Sequence, residues 1–254
     1  MGKNSSNLRP RDGRRRNLVV KSPLKLKLIA GLRSLFILSL VGLISLSAAA
    51  AAIAGASQFT IDQARQQSDG IEVTIAGVVT VPSGWFRSAN LDQGFVIQDA
   101  TGGLYITTPQ GLPLSLGESV EVSGVLGNDG HGQRWVKLKE CQRRGSALST
   151  VVPKSVSAQV AGQQMDGQLV TVQGKIVRSL QDDAPYGDRL WIEDDTGEIQ
   201  IYIPKSTAIY PQNLPFLQLG QKIQVTGLSS QFDDNDEVIP RRRADIQLVD
   251  GIRR

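Results

Sequence analysis

The side chains best suited to hold a ligand fall in four loop-like stretches of the chain. Pro82-Ser-Gly-Trp-Phe-Arg87 groups Trp85, Phe86 and Arg87, and Gly127-Asn-Asp-Gly-His-Gly-Gln-Arg134 brings His131 and Arg134, with Trp135 beside them. Flat aromatic rings stack on bases or sugars and guanidinium groups bond phosphate, so this set points to recognition. For Trp85 and Phe86 the plainer expectation is that they fold back over a core; for His131 it is a solvated place between glycines. The other two stretches, Gln181-Asp-Asp-Ala-Pro-Tyr-Gly-Asp188 and Phe232-Asp-Asp-Asn-Asp-Glu237, are acidic. Their carboxylates would repel phosphates and could offer oxygen ligands to a hard cation such as Ca²⁺, although the spacing is not that of an EF-hand loop. Solvated acidic loops are the default. Arg241-Arg-Arg243 follows, able to pair with those acids or to touch a phosphate.

Little here suggests catalysis. There is one histidine, which removes His-rich metal sites, and one cysteine, which removes intrachain disulfides and multi-cysteine metal sites. Cys141 reads as a small buried hydrophobe. No phosphate-cradling glycine loop, nucleophile elbow or His-based metal motif occurs. The expectation is a protein that is not an enzyme and has no cofactor.

Loops need a scaffold, and the scaffold is written twice. Phe95-Val-Ile-Gln-Asp-Ala-Thr-Gly-Gly-Leu-Tyr-Ile106 reads as a β-hairpin, two alternating runs around a turn of Asp, Thr and Gly. Leu190-Trp-Ile-Glu-Asp-Asp-Thr-Gly-Glu-Ile-Gln-Ile201 has the same frame. Before each hairpin lies a strand with a central glycine, Ile71–Val81 around Gly77 and Gln168–Arg178 around Gly174, which predicts a sharply coiled strand. After each comes a matching run, Leu116–Gly124 and Leu219–Gly227. Three segments repeated in order establish a duplication. Arg134–Cys141 and Ala244–Val249 are the expected last strands, and Thr60-Ile-Asp-Gln63 has the spacing of a capping box that opens a short helix. Along the hairpins, Phe95, Ile97, Leu104 and Ile106, and Leu190, Ile192, Ile199 and Ile201, fall on one face and should fill two cores. The opposite faces carry Val96, Gln98, Tyr105 and Thr107, and Trp191, Glu193, Gln200 and Tyr202. Asp99 and Asp194 recur at one turn position, where capping the turn is their simplest role.

Five strands with a long bent first strand and a central hairpin describe a small barrel. The motifs Asp69-Gly70 before Val73–Val79, Phe95-Val-Ile-Gln-Asp-Ala-Thr-Gly-Gly and Leu116-Gly-Glu-Ser-Val-Glu-Val-Ser-Gly resemble the bacterial OB-fold modules attached to secreted nucleases and phosphoesterases, or found alone behind a signal peptide. The resemblance covers residues 60–145 well and 155–250 more loosely. It implies an all-β chain of two tandem five-stranded OB barrels whose ligand face is the outer surface of the second and third strands. On that face Tyr105, Trp191 and Tyr202 would be stacking side chains. Together with Trp85, Arg87, Arg134 and Trp135 they form the expected ligand set.

Charge is split unevenly. The whole chain carries +4, but residues 1–56 hold ten Lys/Arg and one acid, which leaves the remainder at −5. The apolar run of residues 35–54 follows a basic leader and ends in small residues. It reads as a signal sequence cleaved after Ala56 or as an uncleaved membrane anchor, and either form exports the rest. The expected organisation is a cytoplasmic leader over 1–34, a signal or anchor over 35–56, one OB domain over 57–148, a linker with a short helix over 149–166, and a second OB domain over 167–254. The expected location is the periplasm or cell exterior, or the inner membrane by its anchor. The leading expectation for partners is single-stranded nucleic acid, held mainly through the first domain. The alternative is an envelope adaptor for a protein or glycan, cation-assisted through the acidic loops of the second domain.

Overall fold

The structure, a computed structural model, describes residues 58–145 and 148–249; the predicted leader and apolar segment lie outside these. Among the described residues no helix is long and apolar enough to cross a membrane.

The first repeat alternates apolar and polar along each strand, and that alternation closes a barrel. Strands β2 (Glu72–Val81), β3 (Phe95–Gln98), β4 (Gly103–Thr107), β5 (Ser119–Asn128) and β6 (Arg134–Arg143) form it, with a two-residue β1 (Gln58–Phe59) along one edge. β2 pairs with both β3 and β5, β5 with β6, and β6 runs parallel to β4, so no barrel edge is left open. Phe95, Ile97, Leu104 and Ile106 are fully buried inside, as their alternation predicts. At Gly77 a β-carbon would stand 3.0 Å from the Gln98 carbonyl oxygen, and at Gly174 one would stand 2.7 Å from that of Glu193. The long first strand of each barrel can therefore coil against the second only where it lacks a side chain. Helix α1 (Ile61–Arg65) puts Ile61 and Ala64 into the same core and opens with the predicted Thr60–Gln63 capping box.

The second repeat has the same connectivity. After β7 (Lys154–Ser155) and helix α2 (Ala158–Gln164), the strands β8 (Leu169–Asp183), β9 (Gly187–Asp194), β10 (Gly197–Pro204), β11 (Lys222–Phe232) and β12 (Asn235–Pro240) close a barrel, with β8 paired to β11 and β10 parallel to β12. Leu190, Ile192, Ile199 and Ile201 fill it. This closed order of two five-stranded barrels, 1-2-3-5-4, is the OB fold. Two expectations need correcting. The closing strand is Asn235–Pro240, which begins within the expected acidic loop Phe232–Glu237 and runs on through Val238, fully buried in the core. The segment expected to be last supplies only β13 (Ile246–Leu248), an added strand beside β11.

The repeated Asp-x-Thr turn does more than close its hairpin. Asp99 Oδ1 accepts from the backbone of Thr101 at 2.7 Å and Gly102 at 2.9 Å, while its Oδ2 accepts from Ile61 N at 2.9 Å and Thr101 Oγ1 from Asp62 N at 3.1 Å. In the second repeat Asp194 Oδ2 accepts from Ala158 N at 2.8 Å and Thr196 Oγ1 from Gln159 N at 3.2 Å. Each turn thus satisfies the free N–H groups that start its own barrel's helix, a contact worth about 1 kcal/mol per cap.

The barrels dock face to side. Val81, Phe86, Val96 and Tyr105 of the first barrel and Leu228 and Ile239 of the second are buried in one cluster, with Trp85, Trp135 and Tyr202 packed on its rim. Each such side chain is worth about 1.5–3 kcal/mol when fully buried, enough in sum to hold the two barrels in one arrangement. The backbones meet where Gly103 faces Gly167, whose φ is +80°. Arg65 bridges the seam, donating to the Gly103 carbonyl at 3.1 Å and pairing with Asp166. Gln98 Oε1 accepts from Leu169 N at 2.9 Å, and Arg241 donates to the Thr80 carbonyl at 3.3 Å.

Candidate functional site

The docking decides which OB face is open. Val96, Gln98 and Tyr105 stand on the outer face of β3 and β4, and the second barrel covers them. Tyr105 is 3% exposed. Its hydroxyl donates to Asp92, and burial, followed by the Asp92 charge, pushes its pKa far up. The corresponding face of the second barrel opens instead into a cleft of about 1020 Å³ between the barrels. That volume is at the upper end for small-molecule sites and suits a short oligomer.

Four loops and one sheet build the cleft. Arg87 and Leu91 come from the long loop between β2 and β3, and His131 from the turn between β5 and β6. Tyr186 lies in the turn between β8 and β9, Phe232 at the end of β11 and Asp233 in the turn that follows it. The floor is the outer face of the second barrel, with Arg189, Gln200, Tyr202 and Glu237. Leu91, Tyr186 and Phe232 are exposed large apolar side chains that share this one rim. Leu91 has a φ of +56°, a left-handed conformation that costs an ordinary L-residue energy.

The floor is polar and largely buried. Gln200 and Glu237 are only 5% and 6% exposed, and the Gln200 amide donates to Glu237 Oε2 at 2.9 Å. The carbonyl oxygen of Gln200 and the Nε of Arg189 are buried with no partner. Burial pushes the Glu237 carboxyl up to about 7, against the smaller opposing pull of the Gln200 hydrogen bond. A carboxyl that is half protonated near neutrality can both accept and donate hydrogen bonds.

Most of the charges here are already spoken for. Arg189 pairs with Asp183 at 2.8 Å, and Lys205 with Asp188 at 2.8 Å and Asp182 at 3.4 Å. His131 Nδ1 meets Asp233 Oδ1 at 2.8 Å, and its ring stacks on Phe232 with centroids 4.7 Å apart. In the first acidic stretch Asp182, Asp183 and Asp188 are thus paired with side-chain cations, and in the second Asp233 is held by His131. Among the described residues no group of three or more His, Cys, Asp or Glu side chains is placed to hold a metal ion. Arg241, offered as a phosphate contact, is buried against Asp245 at 2.9 Å.

The expected ligand set is divided by the structure. Arg87, Tyr105 and Tyr202 line the cleft, and the Tyr202 hydroxyl donates to Asp183 at 3.3 Å. Trp85 and Trp135 pack at the seam, and the Trp135 ring fills the space a side chain at Gly127 would need. Arg134 bonds the Gln67 carbonyl at 2.8 Å and lies 3.4 Å from Asp69, so it braces the end of the first helix. Trp191 lies half-buried on the second barrel with the Arg178 guanidinium 5.0 Å above its ring. Arg189, Glu237 and Lys205 were absent from the set because acid-rich flanks hid them; the outward alternation of Gln200 with Tyr202 was the one available signal.

The His131–Asp233 contact gives a pH-dependent expectation. Its hydrogen bond to Asp233 raises the histidine above its usual 6.5, with burial opposing and the Asp233 and Asp129 charges adding to the rise. A raised pKa means that this contact stabilises fully below about pH 6.5 and is lost as pH rises through the folded value. Since His131 is the chain's one histidine, its imidazole resonances are unambiguous. An NMR titration should give a midpoint above 6.5 that falls back in Asp233→Asn; an unchanged midpoint would show that the contact does not form in solution.

No family model matches the chain, and no curated protein matches it. Among solved structures it is similar to the hypothetical protein ygiW from E. coli, at 21% identity over 35% of this chain and 90% of that one, with a TM-score of 0.29. An OB domain from Methanosarcina mazei aligns at 15% identity over 37% of this chain and 84% of that one, TM-score 0.31. Asparaginyl-tRNA synthetase from Pyrococcus horikoshii aligns at 18% identity over 40% of this chain and 24% of that one, TM-score 0.32.

Proposed function

We propose that the chain is an exported, non-catalytic binding protein that takes a neutral glycan chain into the cleft between its two barrels. One observation carries this reading. The cleft floor presents a buried amide and carboxyl with unspent hydrogen-bonding capacity, under an aromatic and apolar rim, while nearly every cation in reach is already paired. Hydroxyl-rich chains need donors, acceptors and flat apolar surfaces, and OB barrels are known to bind oligosaccharides as well as oligonucleotides. A phosphodiester chain needs free positive charge. The cleft lining supplies Arg87, which has no partner among the described residues, but also Asp129, Asp183, Asp233 and Glu237. Export is inferred from the basic leader and apolar run, and the absence of catalysis from the lack of any nucleophile–base arrangement in the sequence.

The test is calorimetric titration of the full chain with neutral oligosaccharides built on glucose, N-acetylglucosamine or xylose, and in parallel with oligo-dT at low salt. Saturable binding of one sugar series, weakened at least tenfold in Gln200→Ala, is the expected result. Salt-sensitive binding of oligo-dT with no sugar bound would replace the glycan with the nucleic acid.

A further inference from the structure

Two contacts between the barrels lie at the cleft, one at each end of its floor. At one end the turn between β5 and β6 reaches the end of β11 and the turn after it. Asp233 N donates to the His131 carbonyl at 2.7 Å, and Gln133 Nε2 donates to Ser230 Oγ at 3.4 Å. The His131 ring adds its stack on Phe232 and its bond to Asp233. Gly132, at φ +106°, lets the turn settle closely, since a β-carbon there would stand 2.9 Å from the Gln231 side chain. At the other end one hydrogen bond crosses, from Ser206 Oγ to the Trp85 carbonyl at 2.8 Å. The floor strands set these crossings apart. β12 runs parallel to β10 with Glu237 beside Gln200; Asp233 precedes Glu237, and Ser206 follows Gln200. Between the levels of Asn235 and Pro204 the floor is roughly 20 Å long.

Resting on the glycan reading, we infer that the cleft is blind at its His131 end and takes a glycan by its chain terminus, not along its middle. The block includes a bond from backbone to backbone, so no side-chain rotation opens a passage for a continuing chain. A terminal sugar seats against it. Asp129, Gln231 and Asn235 line the cleft there and offer polar atoms to the hydroxyl that only a chain end carries. The rest of the chain runs over Gln200 and Glu237 and leaves past Ser206, where one serine hydrogen bond crosses. The floor selects for hydroxyl pattern; the block adds a selection for termini that a cleft open at both ends lacks.

The experiment measures the binding capacity of the full chain on soluble polymers of whichever sugar series binds in the titration above. Two mean lengths are compared at equal mass. Capacity per gram should be about tenfold lower on a polymer about tenfold longer, because each chain then counts as a single epitope. Replacing residues 129–133 by Asn-Gly joins the last paired residues, Asn128 and Arg134, through a two-residue turn too short to reach Asp233. In that variant the two capacities should become equal per gram, whereas Ser206→Ala should keep the end dependence. Equal capacities in the unaltered chain overturn the blind end while the glycan reading stands. End dependence that survives the shortened turn, or is lost in Ser206→Ala, does the same. Failure of every sugar to bind overturns both.

Discussion

Gly103→Ala is expected to pull the two barrels apart. A methyl group there would overlap the Gly167 carbonyl oxygen, and both partners are backbone, so no side chain can turn away to make room. Relief requires the seam to open, which unpacks the apolar cluster of Val81, Phe86, Val96, Tyr105, Leu228 and Ile239. The cost should be about 3 kcal/mol or more, in the range of severe overpacking combined with lost burial. Denaturant unfolding should change from one cooperative transition to two, as the barrels lose each other's support. Gly102→Ala is the matched control. Its β-carbon would stand 3.4 Å from Ile61, ordinary contact, and it should cost less than about 1 kcal/mol. An unchanged unfolding curve for Gly103→Ala would show that the barrels do not dock in this way.

Asp245→Ala should be nearly as damaging, for an electrostatic reason. Arg241 and Asp245 have side chains only 7% and 5% exposed, and the pair is reached by Arg242 at 3.3 Å. Removing the carboxylate leaves a buried guanidinium whose remaining partner is the Thr80 carbonyl of the other barrel. Breaking a buried pair from one side costs about 3–5 kcal/mol, whereas replacing both members by apolar groups is often close to neutral. The double variant Arg241→Met/Asp245→Leu should therefore be more stable than Asp245→Ala, by urea denaturation. Equal losses in both would mean that shape rather than charge holds this corner.

The barrels themselves were legible in the chain. Alternation placed Phe95, Ile97, Leu190 and Ile201 inside, and the paired glycines Gly77 and Gly174 marked where the first strands coil. What alternation cannot say is what covers an outward face. Tyr105 and Tyr202 both point outward from their hairpins, yet Tyr105 is buried against the sister barrel at the edge of the cleft and Tyr202 is only half-buried on its floor. The cleft was less legible still, because Arg87, His131, Arg189 and Glu237 are brought together by docking and by no local pattern. One clue did exist. Where the second hairpin has Glu198 after its turn glycine, the first has Gly103, and a side chain missing from one copy marked the place where the seam passes. The last strand was misplaced because charge density around Asp233–Glu237 masked the apolar pair Val238 and Ile239.

Duplicated domains are often traded between proteins as interchangeable parts. The seam described above removes that freedom here. The first barrel spends its recognition surface on its sibling, so a copy of it excised at the segment before β7 would present Val81, Phe86 and Val96 to water and seek a substitute partner. The second would lose the loop carrying Arg87 and Leu91, and with it one wall of its cleft. Evolution acting on this chain has one inheritable unit to work with, and changes in the first half reach the ligand through the shape of the second.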